Sequence, residues 1–175
     1  MISYKKAINK LKKFHLSIRS ERILSKNSLF RICSENIYSR FNYPADDNTA
    51  FDGFAINSAE TKNATKYNEI KFKIIKTIAA GDNPKIKKIP KNSCIEVMTG
   101  AIVNKPFDTI IPFEKSKVIK NKNNYYLVIN KKINKFNNLR FMGSDYKKGQ
   151  IVLKKGDLIK PSDILVLKTL GIKSI

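Results

Sequence analysis

Val118-Ile119-Lys120-Asn121-Lys122-Asn123-Asn124-Tyr125-Tyr126-Leu127-Val128-Ile129 sets two short apolar runs on either side of a polar, asparagine-rich segment. Asparagine tolerates the left-handed backbone that tight turns need, so this stretch predicts a β-hairpin. Upstream, Phe54-Ala55-Ile56, Ile70-Lys71-Phe72-Lys73-Ile74-Ile75, Cys94-Ile95-Glu96-Val97-Met98 and Thr109-Ile110-Ile111 have the same character. Each is short, rich in β-branched or aromatic residues, and bounded by Gly, Pro, Asn or Asp. The spacing leaves little room for crossover helices. It predicts barrel-like or coiled antiparallel sheets and argues against a doubly wound parallel sheet.

The two ends of the chain read differently. Tyr4, Ala7, Ile8 and Leu11 recur at helical spacing behind Ser3, a good N-cap, and predict a helix ending near Lys13. A second helix is expected from about Ser28 to Ile37, capped by Asn27, with Leu29, Ile32 and Cys33 facing inward. Pro44 stops any helix before Asn48. Gly149 to Leu153 reads as a further strand and Lys155-Gly156-Asp157 as a turn. Pro161 then opens a helix through Leu170, with Ile164, Leu165, Leu167 and Leu170 as its apolar cover and Gly171 as its stop. The expected fold is therefore α+β and β-rich, with helices at both chain ends. Residues 1–45 and 146–175 would form one subdomain and residues 46–145 an inserted β-rich one.

At 175 residues with 42% hydrophobic content, the chain can bury real cores. It carries no apolar run of the ~18–20 residues that a membrane span requires. Its first residues lack the apolar stretch of a signal peptide, and a cytoplasmic location is expected. Cys33 and Cys94 are far apart, which argues against a disulfide framework or a thiolate zinc site. The single histidine, His15, reads as a packed or surface residue rather than a ligand. Thirty-five Lys and Arg against 14 Asp and Glu give a net charge of +21. Only Arg19, Arg22, Arg31, Arg40 and Arg140 are arginines, the residue that reads phosphates and base edges with a planar fork. The charge therefore reads as solvated lysine faces, and a nucleic-acid partner is not expected.

Chemistry-bearing residues concentrate in three turns. Asp46-Asp47-Asn48-Thr49-Ala50-Phe51-Asp52-Gly53 puts three carboxylates and an amide within seven positions. Such a loop can offer a carboxylate to a divalent cation, or can cap neighbouring backbone amides. Cys94 to Ala101 ends a strand in Thr99-Gly100, where a hydroxyl and backbone N–H groups can cradle an oxyanion or simply finish the strand. Arg140-Phe141-Met142-Gly143-Ser144-Asp145 places one of the few arginines beside a carboxylate, either as a bidentate fork for a ligand or as an ordinary surface ion pair.

In order and spacing, these three turns resemble the N-terminal region of the molybdopterin molybdenumtransferases, the family that includes the C-terminal part of the synaptic scaffold gephyrin. The family's Pro-x-Phe-Asp-Asn-Ser-Ala-Met-Asp-Gly-Tyr-Ala-Val stands here as Pro44 to Ile56. Its Ile-x-Ile-Met-Thr-Gly-Ala-x-Val stands as Ile95 to Val103, and its Arg-x-x-Gly-Glu-Asp as Arg140 to Asp145. Ala80-Gly81 and Leu170-Gly171-Ile172 fit as well. The resemblance implies insertion of molybdate into adenylylated molybdopterin with cleavage of the adenylate, a magnesium requirement, and a head-to-tail homodimer built partly by the helix-containing subdomain. It makes Asp52 and Thr99 the catalytic positions, with Asp52 the magnesium contact. Asn48, Thr49, Gly100, Arg140 and Asp145 become substrate-binding positions.

The departures from the family pattern are local. Asp46 replaces an aromatic residue, Phe51 a methionine, and Ser144 the glutamate before Asp145, which removes a carboxylate. The family's pterin-binding motifs have no counterpart in this chain. The resemblance thus implies an incomplete, intermolecular site and no turnover by these residues alone. A noncatalytic dimerisation or scaffold module on the same fold is the alternative.

Overall fold

The computed structural model describes residues 1–14 and 18–175; His15 lies outside the described residues. The elements run α1 (Tyr4–Lys13), β1 (Ile37–Tyr38), β2 (Asn48–Thr49), β3 (Gly53–Ile56), β4 (Ile70–Ile78), β5 (Ser93–Val97), β6 (Thr109–Pro112), β7 (Lys117–Asn121), β8 (Asn124–Ile129), β9 (Leu139–Arg140), β10 (Ile151–Leu153) and α2 (Pro161–Thr169). Two compact units result. One joins residues 1–37 to 151–175, and the other is residues 38–150.

In the first unit, α1 is capped as the sequence predicts, the Lys6 amide donating to Ser3 Oγ. No residue of α1 is buried. Tyr4 is 83% and Leu11 69% exposed, so the apolar stripe forms without a covering partner among the described residues. The expected helix over Ser28–Ile37 does not form. Phe30 adopts φ +62°, a left-handed value that ends a helix. The segment finds its hydrogen bonds on residues 156–159 instead. The Phe30 and Cys33 amides donate to the Ile159 and Asp157 carbonyls, and the Ile159 and Gly156 amides donate back to Arg31 and Cys33. Leu29 and Ile32 face outward, and only Cys33 of the expected trio is buried. A ladder with a distant segment has overridden a helical spacing, as tertiary pairing often does.

α2 begins at Pro161, with the Asp163 carboxylate reaching back to the Lys160 amide. Leu167 is buried on it, while Leu165 is exposed. At its C-terminal end the Ile172 and Gly171 amides donate to the Leu167 and Lys168 carbonyls, with Gly171 at φ +63°. This is a Schellman closure. A Cβ on Gly171 would meet nothing within 4 Å, so Gly171→Ala exposes the conformational cost alone. Urea unfolding should show a loss of about 1–2 kcal/mol; an unchanged midpoint would mean that the closure contributes nothing.

The second unit is built on a six-stranded sheet in the order β6-β3-β5-β4-β8-β7. The expected hairpin of Val118–Ile129 forms, with a tighter turn than its four polar residues suggest. Asn121 pairs with Asn124, leaving Lys122 and Asn123 as the turn, with Lys122 at φ +52°. The expected antiparallel pairing holds throughout with one exception, since β4 and β5 run parallel. Residues 79–92 connect them without a strand or helix. A parallel pair needs a connection of about a dozen residues or more, and this loop supplies it without a helix. The sheet stays open, with β6 and β7 at its edges, rather than closing into a barrel.

Both faces of this sheet are covered, so its strands do not alternate cleanly between apolar and polar. Phe54, Ile56, Phe72, Cys94 and Leu127 pack on one side. Ala55, Ile78, Ile95, Val97 and Ile110 pack on the other. Phe72 and Ile78 belong to opposite cores although they share one parity on β4. The register shift between Ile74 and Lys76 explains this, because an extra residue turns the rest of the strand over. Burial pushes the Cys94 thiol up to about 12, so it is an inert core residue.

Candidate functional site

Strand β2 is two residues long, and the three chemistry-bearing turns meet on it. Asn48 pairs with Arg140 and Thr49 with Leu139, which ties the first turn to the third. Asn48 also bridges Ile102. The Thr49 amide donates to the Ala101 carbonyl at 3.1 Å, and the Gly100 amide donates to the Thr49 carbonyl at 2.9 Å, which ties the first turn to the second. The three motifs are spread over almost a hundred residues in sequence, and β2 is their common edge.

Asp52 and Thr99 are in direct contact. The Thr99 amide donates to Asp52 Oδ1 at 2.6 Å and the Thr99 hydroxyl to the same oxygen at 2.8 Å. The backbone bond first, and the hydroxyl second, hold the Asp52 carboxyl below the usual aspartate range. Asp52 and Thr99 are both exposed. No hydrogen bond reaches Asp52 Oδ2 among the described residues. With its proton committed to Asp52, Thr99 Oγ offers only lone pairs outward. The pair therefore presents oxygen acceptors, which suit a cation better than an oxyanion.

The amides of the Thr99-Gly100 turn are occupied. Thr99 gives its N–H to Asp52, Gly100 to Thr49 and Ala101 to Met98. An oxyanion cradle of free N–H groups, expected at this strand end, is therefore not displayed by the described residues; the N–H groups hold the turns together.

At the third turn, Arg140 pairs with Asp145, both about two-fifths exposed. The guanidinium carbon lies 5.9 Å from the centre of the Tyr43 ring, within cation–π range. Ser144 donates its hydroxyl to Asp145 at 3.2 Å. No direct hydrogen bond joins the Asp52–Thr99 pair to the Arg140–Asp145 pair among the described residues, so β2 is the link. Thr49 is 1% exposed and its side chain is turned into its own loop, which removes it from the surface a substrate could reach. Asn48 is half-buried and donates to the Asp46 carbonyl at 3.3 Å.

Two contributors stand inside the quoted motifs but outside the expected site residues. Asp47 accepts the Met142 amide at 2.8 Å, pinning the first turn to the third. Of the two uses open to this carboxylate-rich loop, capping is the one that Asp47 and Asp52 both display. Gly53 is the other contributor. A Cβ there would lie 2.2 Å from the Ile111 carbonyl oxygen, so the residue after Asp52 has no room for a side chain. The Asp-Gly step in the sequence was the only available signal for it.

Residues 2–171 match the family described as the MoeA N-terminal region, domains I and II. The chain is 34% identical over 170 residues to the molybdopterin molybdenumtransferase of Staphylococcus epidermidis, which covers 97% of this chain and 39% of that protein. It is 32% identical to the molybdopterin molybdenumtransferase of Staphylococcus aureus, with the same coverage. It thus spans about two fifths of the length of these relatives. A molybdopterin biosynthesis MoeA protein from Pyrococcus horikoshii superposes with a TM-score of 0.85 at 26% identity, covering 99% of this chain and 43% of that one. A second crystal structure of the MoeA protein from that organism gives a TM-score of 0.77 at 32% identity, covering 89% and 40%. With the family match running over residues 2–171 and the fold shared over 99% of the chain, the chain belongs to the MoeA N-terminal region family.

Proposed function

We propose that this chain works in molybdenum cofactor biosynthesis, supplying the Asp52–Thr99 half of a site where adenylylated molybdopterin is cleaved and molybdate is inserted. The observation that carries this reading is the Asp52–Thr99 contact, which saturates one carboxylate oxygen and leaves the other open beside a hydroxyl lone pair. Magnesium takes oxygen ligands, commonly one or two carboxylates completed by phosphate oxygens and water. Asp52 and Thr99 fit that partial role. The described residues gather no group of three or more His, Cys, Asp or Glu side chains that could hold a metal unaided. Bound there, magnesium would offset charge on the adenylate phosphate.

The chain's own residues then divide the work. Asp52 stays ionised and aims Oδ2 outward, Thr99 holds it, and Gly100 fastens the turn to β2. Arg140, oriented by Asp145 and Tyr43, contributes a cation for an anionic part of the substrate, with Asn48 beside it on β2. The pterin-binding region of the relatives is the partner that would complete the site. A cytoplasmic homodimer is part of the same reading. The exposed stripe on α1 supports a second copy as its cover, because an amphipathic helix with no buried residue gains stability from docking.

The test is reconstitution. The chain mixed with a separately produced pterin-binding portion of the enzyme should release AMP from adenylylated molybdopterin when molybdate is added. Association without AMP release would favour the noncatalytic dimerisation or scaffold module.

A further inference from the structure

Thr49 is a buried hydroxyl with two bonds, and both go to the same residue. It donates to the Phe51 carbonyl at 2.5 Å and accepts the Phe51 amide at 3.1 Å. Those bonds close the chain from Thr49 to Phe51 into a tight loop, and Asp52 is the next residue. Meanwhile the Thr49 backbone is clamped on both sides to the second turn, through the Ala101 carbonyl and the Gly100 amide. The residue thus holds the Asp52 loop with its side chain and the Thr99 loop with its main chain.

We propose that Thr49 is a positioning residue, whose buried hydroxyl sets the Phe51–Asp52 backbone and thereby aims the Asp52 carboxylate at Thr99 without itself meeting substrate. Its relevance to catalysis rests on the function proposed above, but its geometry does not. A free hydroxyl in solvent could be lost at little cost. An alkyl group in place of a hydroxyl that satisfies both the amide and the carbonyl of an exposed loop residue frees both, because no other side chain among the described residues reaches those two atoms. With valine at position 49, the Phe51 amide and carbonyl turn to water, and the Asp52 loop loses its reason to hold one orientation.

The experiment follows the Thr99 amide, which donates to Asp52 Oδ1, by NMR hydrogen exchange, in this chain, in Thr49→Val, in Thr49→Ser and in Thr61→Val. Thr61 is a suitable control. It is fully buried, and its hydroxyl also bridges backbone groups, donating to Ser58 and accepting from Ile133, away from the site. Thr49→Val should speed exchange of the Thr99 amide roughly tenfold, as its bond to Asp52 becomes intermittent. Thr49→Ser should keep the parent rate, and Thr61→Val should lower the melting temperature without changing that rate. A Thr49→Val rate equal to that of the parent overturns the proposal. So does an equal rise in both valine variants, which would report general loosening. If Thr49→Val does not fold, hydrogen exchange of the parent decides the matter: a protected Phe51 amide supports the clamp, and a freely exchanging one overturns it. None of these readouts involves turnover. A catalytically silent Asp52 would therefore remove the proposed function and leave this inference standing.

Discussion

Asp52→Asn, introduced into the chain mixed with a separately produced pterin-binding portion, should on the function proposed lower adenylate cleavage by about 10²–10³-fold, the span typical of losing one electrostatic contact to a transition state. The fold should survive, because an asparagine carbonyl can still accept both Thr99 bonds. What it loses is the negative charge and the free anionic oxygen that would face a cation. Raising magnesium should recover part of the rate if weaker metal binding is the cause. Normal cleavage by the variant would remove Asp52 from the mechanism.

The pH dependence follows from the same contact. The Thr99 amide, and then its hydroxyl, pull the Asp52 carboxyl below its ordinary range. A group whose folded pKa is depressed contributes its interaction above the unfolded pKa and loses it as pH falls through the folded pKa. Asp52 should therefore stay ionised at neutral and mildly acidic pH, and the contact should open only at strongly acidic pH. A general base poised for neutral chemistry has its pKa near the operating pH. The direction of this shift instead fits a permanent anion that holds a cation or a water. The reconstituted enzyme should show no acid limb attributable to Asp52 between about pH 5 and 8.

Gly53→Ala costs about 3 kcal/mol in urea unfolding, at the upper end of the overpacking range. The added Cβ would sit 2.2 Å from the Ile111 carbonyl oxygen and 2.9 Å from Pro112 Cα, both backbone atoms of β6. Nothing flexible can move aside. β3 and β6 are paired over four consecutive residues, from Gly53 with Pro112 to Ile56 with Thr109, so relief requires opening the ladder. The Phe113 amide also donates to the Asp52 carbonyl at 3.2 Å, so the same movement would displace the candidate catalytic residue. The variant should lose activity together with stability, in contrast to Asp52→Asn. A loss below about 0.5 kcal/mol, the size of an ordinary surface substitution, would show that the close approach is not real.

The strands of the six-stranded sheet were legible because short apolar runs between turn residues are a local signal, whereas the two-residue strands β1, β2 and β9 were not. The hairpin of Val118–Ile129, the helix behind Ser3 and the Pro161-to-Gly171 helix all rest on interactions among near neighbours. The candidate site was legible as three motifs because their order and spacing resemble one family's. The residue types alone left capping, a plain strand end and a surface ion pair equally open. The failure at Ser28–Ile37 has the opposite origin. Its helical spacing is real, but Phe30 turned left-handed and residues 156–159 supplied the hydrogen bonds, and nothing in the local sequence announces a partner more than a hundred residues away.

By itself, then, the sequence determined which segments build the six-stranded sheet, where the two flanking helices start and stop, and which turns carry the family's motifs. Tertiary structure alone decided that β4 and β5 run parallel and that a bulge at Ile75 sends Phe72 and Ile78 into different cores. It also decided that β2 gathers three distant motifs, and that the Thr99 and Gly100 amides serve as internal ties. The physical reason is that propensity, capping and turn chemistry act over a few residues and can be read locally. Register, strand direction and the partner of a hydrogen-bond donor depend on which distant backbone arrives beside it, and only the packed chain specifies that.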